Sequence, residues 1–231
     1  MQWTIAPTGP TVYVGASQQL TPTVDNVVSY AYVAQALAPT VSLQAVPGRT
    51  GNARTVTLAL FPGSATTGTP LYSVPLNLAA GATTATPPNT IYAPGGSYTW
   101  VATPPATDVF AAGSTPVSLP GSGTAALAST VTMNYNRVVA TISASRGGVP
   151  QAGTTITITV GTVTRTAPTA GAAGNVTLYD VPAGSWTVTA QYIDTSTNPD
   201  TTYRGTLTPA VSPTAAPTAQ TFGPIVLSAV P

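Results

Sequence analysis

Thr154-Thr155-Ile156-Thr157-Ile158-Thr159-Val160 sets Ile156, Ile158 and Val160 at every second position with threonine between them. Successive side chains of an extended strand point to opposite faces, so this spacing gives one aliphatic and one hydroxyl face, the mark of a half-buried strand. Trp186-Thr187-Val188-Thr189-Ala190, Val41-Ser42-Leu43-Gln44-Ala45 and Val56-Thr57-Leu58-Ala59-Leu60 follow the same rule. Turn-forming clusters stand between such runs: Pro47-Gly48, Pro62-Gly63, Pro94-Gly95-Gly96, Arg146-Gly147-Gly148 and Pro182-Ala183-Gly184. Short alternating strands punctuated by Gly and Pro predict an all-β sandwich architecture. The 44 threonines, with abundant valine, favour strands as well.

Working outward, the sequence repeats itself. Ala93-Pro94-Gly95-Gly96-Ser97-Tyr98-Thr99-Trp100-Val101-Ala102 matches Val181-Pro182-Ala183-Gly184-Ser185-Trp186-Thr187-Val188-Thr189-Ala190 at an offset of 88, and Thr55-Val56-Thr57-Leu58 matches Thr155-Ile156-Thr157-Ile158 at an offset of 100. The first copy therefore carries about 12 extra residues, near Thr66 to Ala85. The expected fold class is all-β, two tandem β-sandwiches, residues 38–134 and 135–231, preceded by an N-terminal arm, residues 1–37. In the shared element Pro182 fixes φ ahead of a tight turn, Gly184 accepts a positive φ, and Trp186 opens a strand with an aromatic anchor. Trp100, Trp186, Tyr98 and Tyr192 are read as core or inter-sheet packing.

The second copy resembles the carboxypeptidase-regulatory-like and collagen-adhesin B-type modules. The residues that carry the resemblance are Val139-Ala140-Thr141-Ile142, Gly148-Val149-Pro150, Gly153 to Ile158 and Tyr179-Asp180-Val181-Pro182-Ala183-Gly184-Ser185-Trp186-Thr187-Val188. It covers residues 138–192 well and 41–102 weakly, and implies a prealbumin-like or immunoglobulin-like sandwich rather than an activity. Adhesin modules of that type often carry a Lys–Asn isopeptide cross-link, which a chain without lysine cannot form.

The ionisable inventory excludes more than the length does. Eleven of 231 residues are charged: Arg49, Arg54, Arg137, Arg146, Arg165 and Arg204 against Asp25, Asp108, Asp180, Asp194 and Asp200. Lys, Glu, His and Cys are absent. Acid–base and covalent catalysis at neutral pH lean on those residue types, as do zinc, copper, haem and iron–sulfur sites, so no enzyme activity, cofactor or metal is expected. A net charge of +1 without a basic cluster offers no footprint for nucleic acid or an anionic membrane. Gly and Pro are plentiful, 21 and 24 residues, yet a hydrophobic content of 43% with so little net charge is the reverse of the disordered signature.

No apolar run is long enough for a membrane helix. Met1 to Pro7 lack the basic segment and apolar run of a secretory signal, so the chain reads as one synthesised in a host cytoplasm without a signal peptide. Residues 1–37 fall outside the repeat. Asp25 could cap a helix ending before Pro39, or residues 25–37 could form a strand; both readings stand at this point. The arm holds Trp3, Tyr13, Tyr30 and Tyr32, four of the chain's thirteen Trp and Tyr residues, and these are the candidate partner-binding residues. Asp194, Asp200 and Asn198 lack the ligand density of a calcium loop, and Arg204 near Asp200 reads as a surface ion pair. Asn175-Val176-Thr177 fits a glycosylation sequon that 44 threonines make unremarkable.

Low charge with a Thr, Ala, Pro and Gly surface suits a protein held in an assembly. The profile is similar in type to bacteriophage virion proteins carrying immunoglobulin-like domains. The expectation is a non-enzymatic virion-surface protein, a capsid decoration protein or otherwise a tail component. Its partners would be the major capsid or another virion protein, a second copy of itself, or a host-surface glycan. The alternative is an extracellular adhesion or carbohydrate-binding module, with Tyr92, Tyr98 or Tyr179 as an aromatic platform.

Overall fold

The computed structural model describes residues 2–5, 16–19, 34–120, 123–169, 171–213 and 217–230. Among them every regular element is a strand, so the chain is all-β, as the alternation requires. It divides into two compact units, Met1–Gln44 with Thr50–Asn134, and Ala45–Arg49 with Tyr135–Pro231.

The first unit holds β1 (Gln2–Ile5), β2 (Ala16–Gln19), β3 (Ala34–Leu43), β4 (Arg54–Pro62), β5 (Tyr72–Leu78), β6 (Thr84–Ala85), β7 (Ile91–Pro94), β8 (Gly96–Thr103), β9 (Gly113–Leu119) and β10 (Gly123–Met133). One sheet is antiparallel in the order β5-β4-β8-β9. In the other, β3 takes β10 in parallel along one side and β6 and β7 antiparallel along the other. Leu37, Val41 and Leu43 of β3 with Val131 and Met133 of β10 are buried, as are Val56, Leu58 and Leu60 of β4 with Trp100 and Ala102 of β8. The Tyr72 ring meets the Trp100 indole edge-on, 6.5 Å between centroids.

The second unit holds β11 (Val138–Arg146), β12 (Val149–Pro150), β13 (Thr155–Val160), β14 (Val163–Pro168), β15 (Asn175–Val181), β16 (Gly184–Ser185), β17 (Thr187–Asp194), β18 (Thr201–Leu207), β19 (Ala210–Val211), β20 (Ala219–Val226) and β21 (Ser228–Ala229). Here β11 takes β20 in parallel and β15 antiparallel, while β14-β13-β17-β18-β21 form the second sheet. The core between them joins Val138, Ala140 and Ile142 of β11 to Ile156 and Ile158 of β13 and Val188 and Ala190 of β17, with Trp186 beside them. Within β13 burial follows the period of two, with Ile156 and Ile158 buried, Thr155 exposed and Thr157 and Thr159 half-buried, while Thr154 just ahead of the strand is buried.

The repeat is visible in three dimensions, with one slide. Leu58 pairs with Ala102 in the first unit, so the two offsets would pair Ile158 with Ala190; Ile158 instead faces Val188. A slide of two residues keeps every side chain on its own face, whereas a slide of one would turn the core out to water. The strands equivalent to β4 and β5 are joined by the two residues Gly161 and Thr162, with Gly161 at φ 56°, where the first unit spends residues 63–71. Much of the first copy's excess sits in that connection.

The helical reading of the segment ending before Pro39 is overturned for its last residues. Ala34 to Leu37 open β3, where β7 pairs with them, and the strand runs through Pro39 to Leu43 because β10 pairs with it from Leu37 onward. Residues 25–33 lie outside the described residues. The edge strands carry blocking features: Pro75 sits within β5, and Arg165 of β14 lies opposite the buried Ile158, so its charge falls on the core-facing side of an edge.

Candidate functional site

Of the four residues proposed from sequence for partner binding, Trp3 lies on β1, where its backbone is paired opposite Gln18. Tyr13, Tyr30 and Tyr32 lie outside the described residues. The structure therefore brings together no cluster of these four that can be described.

The charged residues go largely into ion pairs inside each unit. In the first, Arg54 reaches Asp108 at 2.6 Å, and the same carboxylate oxygen accepts from the Val109 and Phe110 N–H groups at 2.7 and 3.1 Å. In the second, Arg146 donates to Asp194 at 2.6 Å and lies 4.7 Å over the Tyr203 ring and 5.6 Å over that of Tyr192. Asp194 also accepts from the Ser196 hydroxyl and N–H. The Arg146 hydrogen bond, then the two from Ser196, lower its carboxyl pKa to about 2.

The third pair was not expected. Arg49 forms a two-pronged bond with Asp180, Nε to Oδ1 at 2.7 Å and the second guanidinium nitrogen to Oδ2 at 2.8 Å. Tyr135 donates its hydroxyl to the same Oδ1 at 2.8 Å and accepts the Asp180 N–H at 2.8 Å. Asp180 is the non-glycine residue with positive φ among the described residues, at 59°. That conformation bulges β15 and turns both the carboxylate and the N–H toward Tyr135. Burial, then the bond to the Asp180 carboxylate, push the Tyr135 phenol well above its ordinary value. Arg49 belongs to a segment, Ala45–Arg49, which the sequence reading assigned to residues 38–134 and which groups with the second unit. Nothing in its spacing announces this, since its partner lies 131 residues away.

The expected Arg204–Asp200 pair is not formed. Arg204 stands on β18 opposite Gln191 and Ser228, and both it and Asp200, which precedes the strand, are exposed. No group of three Asp, His, Cys or Glu lies together among the described residues.

Of the three tyrosines suggested as a platform, Tyr92 is the exposed one at 46%. Tyr98 is half-buried, and burial raises its phenol. Tyr179 is half-buried, with its hydroxyl close to Gly48, where a Cβ would collide with it. Close to Tyr92 the first unit has a groove of about 330 Å³ lined by Leu37 to Thr40 of β3, by residues 86–90, and by Ala126. The sequence reading passed over it, although Pro87-Pro88 between two strand segments is a visible interruption signal.

On the outer face of β13, β14 and β17, threonines stand in rows across the strands. Thr157 pairs with Thr166 and Thr189, and Thr159 with Thr164 and Thr187. Hydroxyls in these rows bond one another at 3.1 Å (Thr157 to Thr166) and 3.5 Å (Thr159 to Thr164).

No protein-family model and no curated protein matches the sequence. Among solved structures, the chain is similar to the Bacillus anthracis TIE protein, at 12% identity and a TM-score of 0.38 over 95% of this chain; it spans 40% of that protein's length. It is also similar to the shaft pilin spaA of Lactobacillus rhamnosus GG, at 8% identity and a TM-score of 0.38, covering 86% of this chain and 98% of the pilin. GBS52, the minor pilin of Streptococcus agalactiae, gives 10% identity and a TM-score of 0.32, covering 84% and 97%. These likenesses carry no argument about activity or partners.

Proposed function

We propose that the chain is a non-enzymatic structural protein displayed on a bacteriophage virion, as a capsid decoration protein or otherwise a tail component, bound to the major capsid or another virion protein. The observation that carries this reading is how the charged side chains are used. Six of the eleven are consumed in the pairs Arg49–Asp180, Arg54–Asp108 and Arg146–Asp194, inside the units. What faces outward includes hydroxyl rows such as Thr157–Thr166 and Thr159–Thr164. Such a surface is suited to holding position in an assembly, where colloidal repulsion matters little. Attachment would rest on apolar burial and backbone pairing rather than on electrostatic steering. The arm of residues 1–37, with Trp3, Tyr13, Tyr30 and Tyr32, is the proposed contact.

The test is mass spectrometry of purified virions for this chain, followed by deletion of residues 1–33, which spares the buried Ala34 to Leu37 of β3, and measurement of occupancy on particles lacking the protein. Presence in virions, with occupancy lost while both units stay folded, supports the reading. Absence from every virion preparation refutes it, and full occupancy by the truncated chain refutes the arm.

One observation favours the second reading, an extracellular adhesion or carbohydrate-binding module: Tyr92 is exposed beside a groove without charged lining.

A further inference from the structure

The groove in the first unit is made by a break in a sheet. Along one side of β3, β6 pairs at Val41 and Ser42, and β7 pairs from Ala34 to Leu37. Between these ladders the chain leaves the sheet as Thr86-Pro87-Pro88-Asn89-Thr90, five residues opposite the three of Ala38, Pro39 and Thr40. Proline has no N–H to give a ladder, so Pro87 and Pro88 on one side and Pro39 on the other make the break a property of the sequence. Their fixed φ angles also hold the rim in shape, so a ligand would order few residues on binding.

The lining decides the chemistry. No ionisable side chain is among the ten lining residues, so a charged ligand would lose water without gaining a counter-charge. A purely aliphatic ligand would strand the hydroxyls of Thr40, Thr86 and Thr90 and the amide of Asn89. Apolar surface from Ala38, Pro87 and Pro88 lies among those four polar groups, the mixture that neutral polyhydroxylated rings present in return. Tyr92 is placed to extend it. It pairs with Ala36, two residues from Ala38 of the groove, so period-two geometry sets Tyr92 and Ala38 on one face, and Thr90 of the lining is two residues from it along the chain. An exposed aromatic ring there offers a flat surface for the C–H face of a sugar.

We infer that this groove, with Tyr92 at its rim, binds a neutral saccharide, one or two rings of an uncharged glycan. The inference gives the second reading above a site and rests on it.

The experiment is an NMR titration of the intact chain with maltose, cellobiose, lactose and sialyllactose, repeated with Asn89→Ala and Tyr92→Ala, whose folds are checked by circular dichroism. The expected result is binding of at least one neutral disaccharide in the millimolar range, with shifts at Asn89 and Tyr92. Each variant should weaken it by about fivefold or more, with no gain for sialyllactose over lactose. Shifts elsewhere that survive both variants would overturn the groove and leave glycan binding standing. No shift with any neutral saccharide would overturn both. A clear preference for sialyllactose would overturn the neutral-ligand assignment.

Discussion

Gly113 and Gly205 occupy the same place in the two units. Gly113 of β9 pairs with Ala102, and Gly205 of β18 pairs with Ala190, the residue 88 positions on that the repeat equates with Ala102. At each glycine the backbone of the unit's closing strand comes so near that a Cβ would run into a carbonyl oxygen, that of Thr132 in the first and Val226 in the second. The obstacle is backbone, which cannot swing aside as a side chain would. Gly113→Ala and Gly205→Ala should each destabilise the protein by about 1–3 kcal/mol through overpacking, read in urea denaturation. A neutral outcome at either position would mean the approach is looser than described.

The two core tryptophans should answer differently to the same change. Trp186 donates its indole N–H to the Pro182 carbonyl at 2.8 Å, whereas the buried Nε1 of Trp100 has no hydrogen-bond partner among the described residues. Phenylalanine removes a similar volume at both sites, but only Trp186→Phe also breaks a bond. Trp186→Phe should cost about 1 kcal/mol more than Trp100→Phe, because it alone gives up a hydrogen bond and leaves the Pro182 carbonyl without that donor. Equal losses in thermal or denaturant unfolding would refute the distinction.

Around Asp180, one carboxylate serves two partners in a strained backbone. Removing it as Asp180→Ala takes the two-pronged bond from Arg49, whose side chain is 8% exposed, and should cost on the order of 3 kcal/mol. Tyr135→Phe removes one donor and the acceptor of the Asp180 N–H, at about 1–3 kcal/mol. Because the two share a network, the double variant should lose less than the sum of the singles. Strict additivity in a double-mutant cycle would show that the network is not coupled.

Asp194 should take up its proton only in strong acid. Asp194 is held near a pKa of about 2 against an ordinary 3.8. A depressed carboxylate stabilises the fold fully above the ordinary value, and its contribution fades as pH falls through about 2. Carbon-detected NMR titration should place its midpoint near 2, and Asp194→Asn should remove that part of the acid sensitivity. A midpoint close to 4 would contradict the hydrogen bonds described. With no His, Cys, Lys or Glu in the chain, side chains should contribute almost no change in stability between about pH 5 and 9.

Where local chemistry dictates structure, the sequence was sufficient. Thr154 to Val160 alternates and folds as a strand with Ile156 and Ile158 inside, and Gly96 and Gly184 take the positive φ, 150° and 131°, that their turn element calls for. The tryptophans of that element, Trp100 and Trp186, are core residues as read. What escaped was long-range. Arg49 meets Asp180 through a chain separation that no spacing rule covers, and Gly205 looks like any strand glycine until β20 lies against it. Ala34 to Leu37 were ambiguous for a related reason: alanine, glutamine and leucine suit a helix locally, and only the partner strand decides. The saccharide groove was legible in part, since Pro87-Pro88 marks a break but does not reveal what the break faces.

Arg165 turned to the inner side of β14 and Pro75 set within β5 also bear on behaviour at high density. At high local concentration, neighbouring sheets with open edges can zip together into fibrils. A cation on the inner face of one rim and a missing amide proton in another make such fusion unfavourable at each attempt. Crowding can then pack these molecules side by side while each sheet ends where its own sequence ends it.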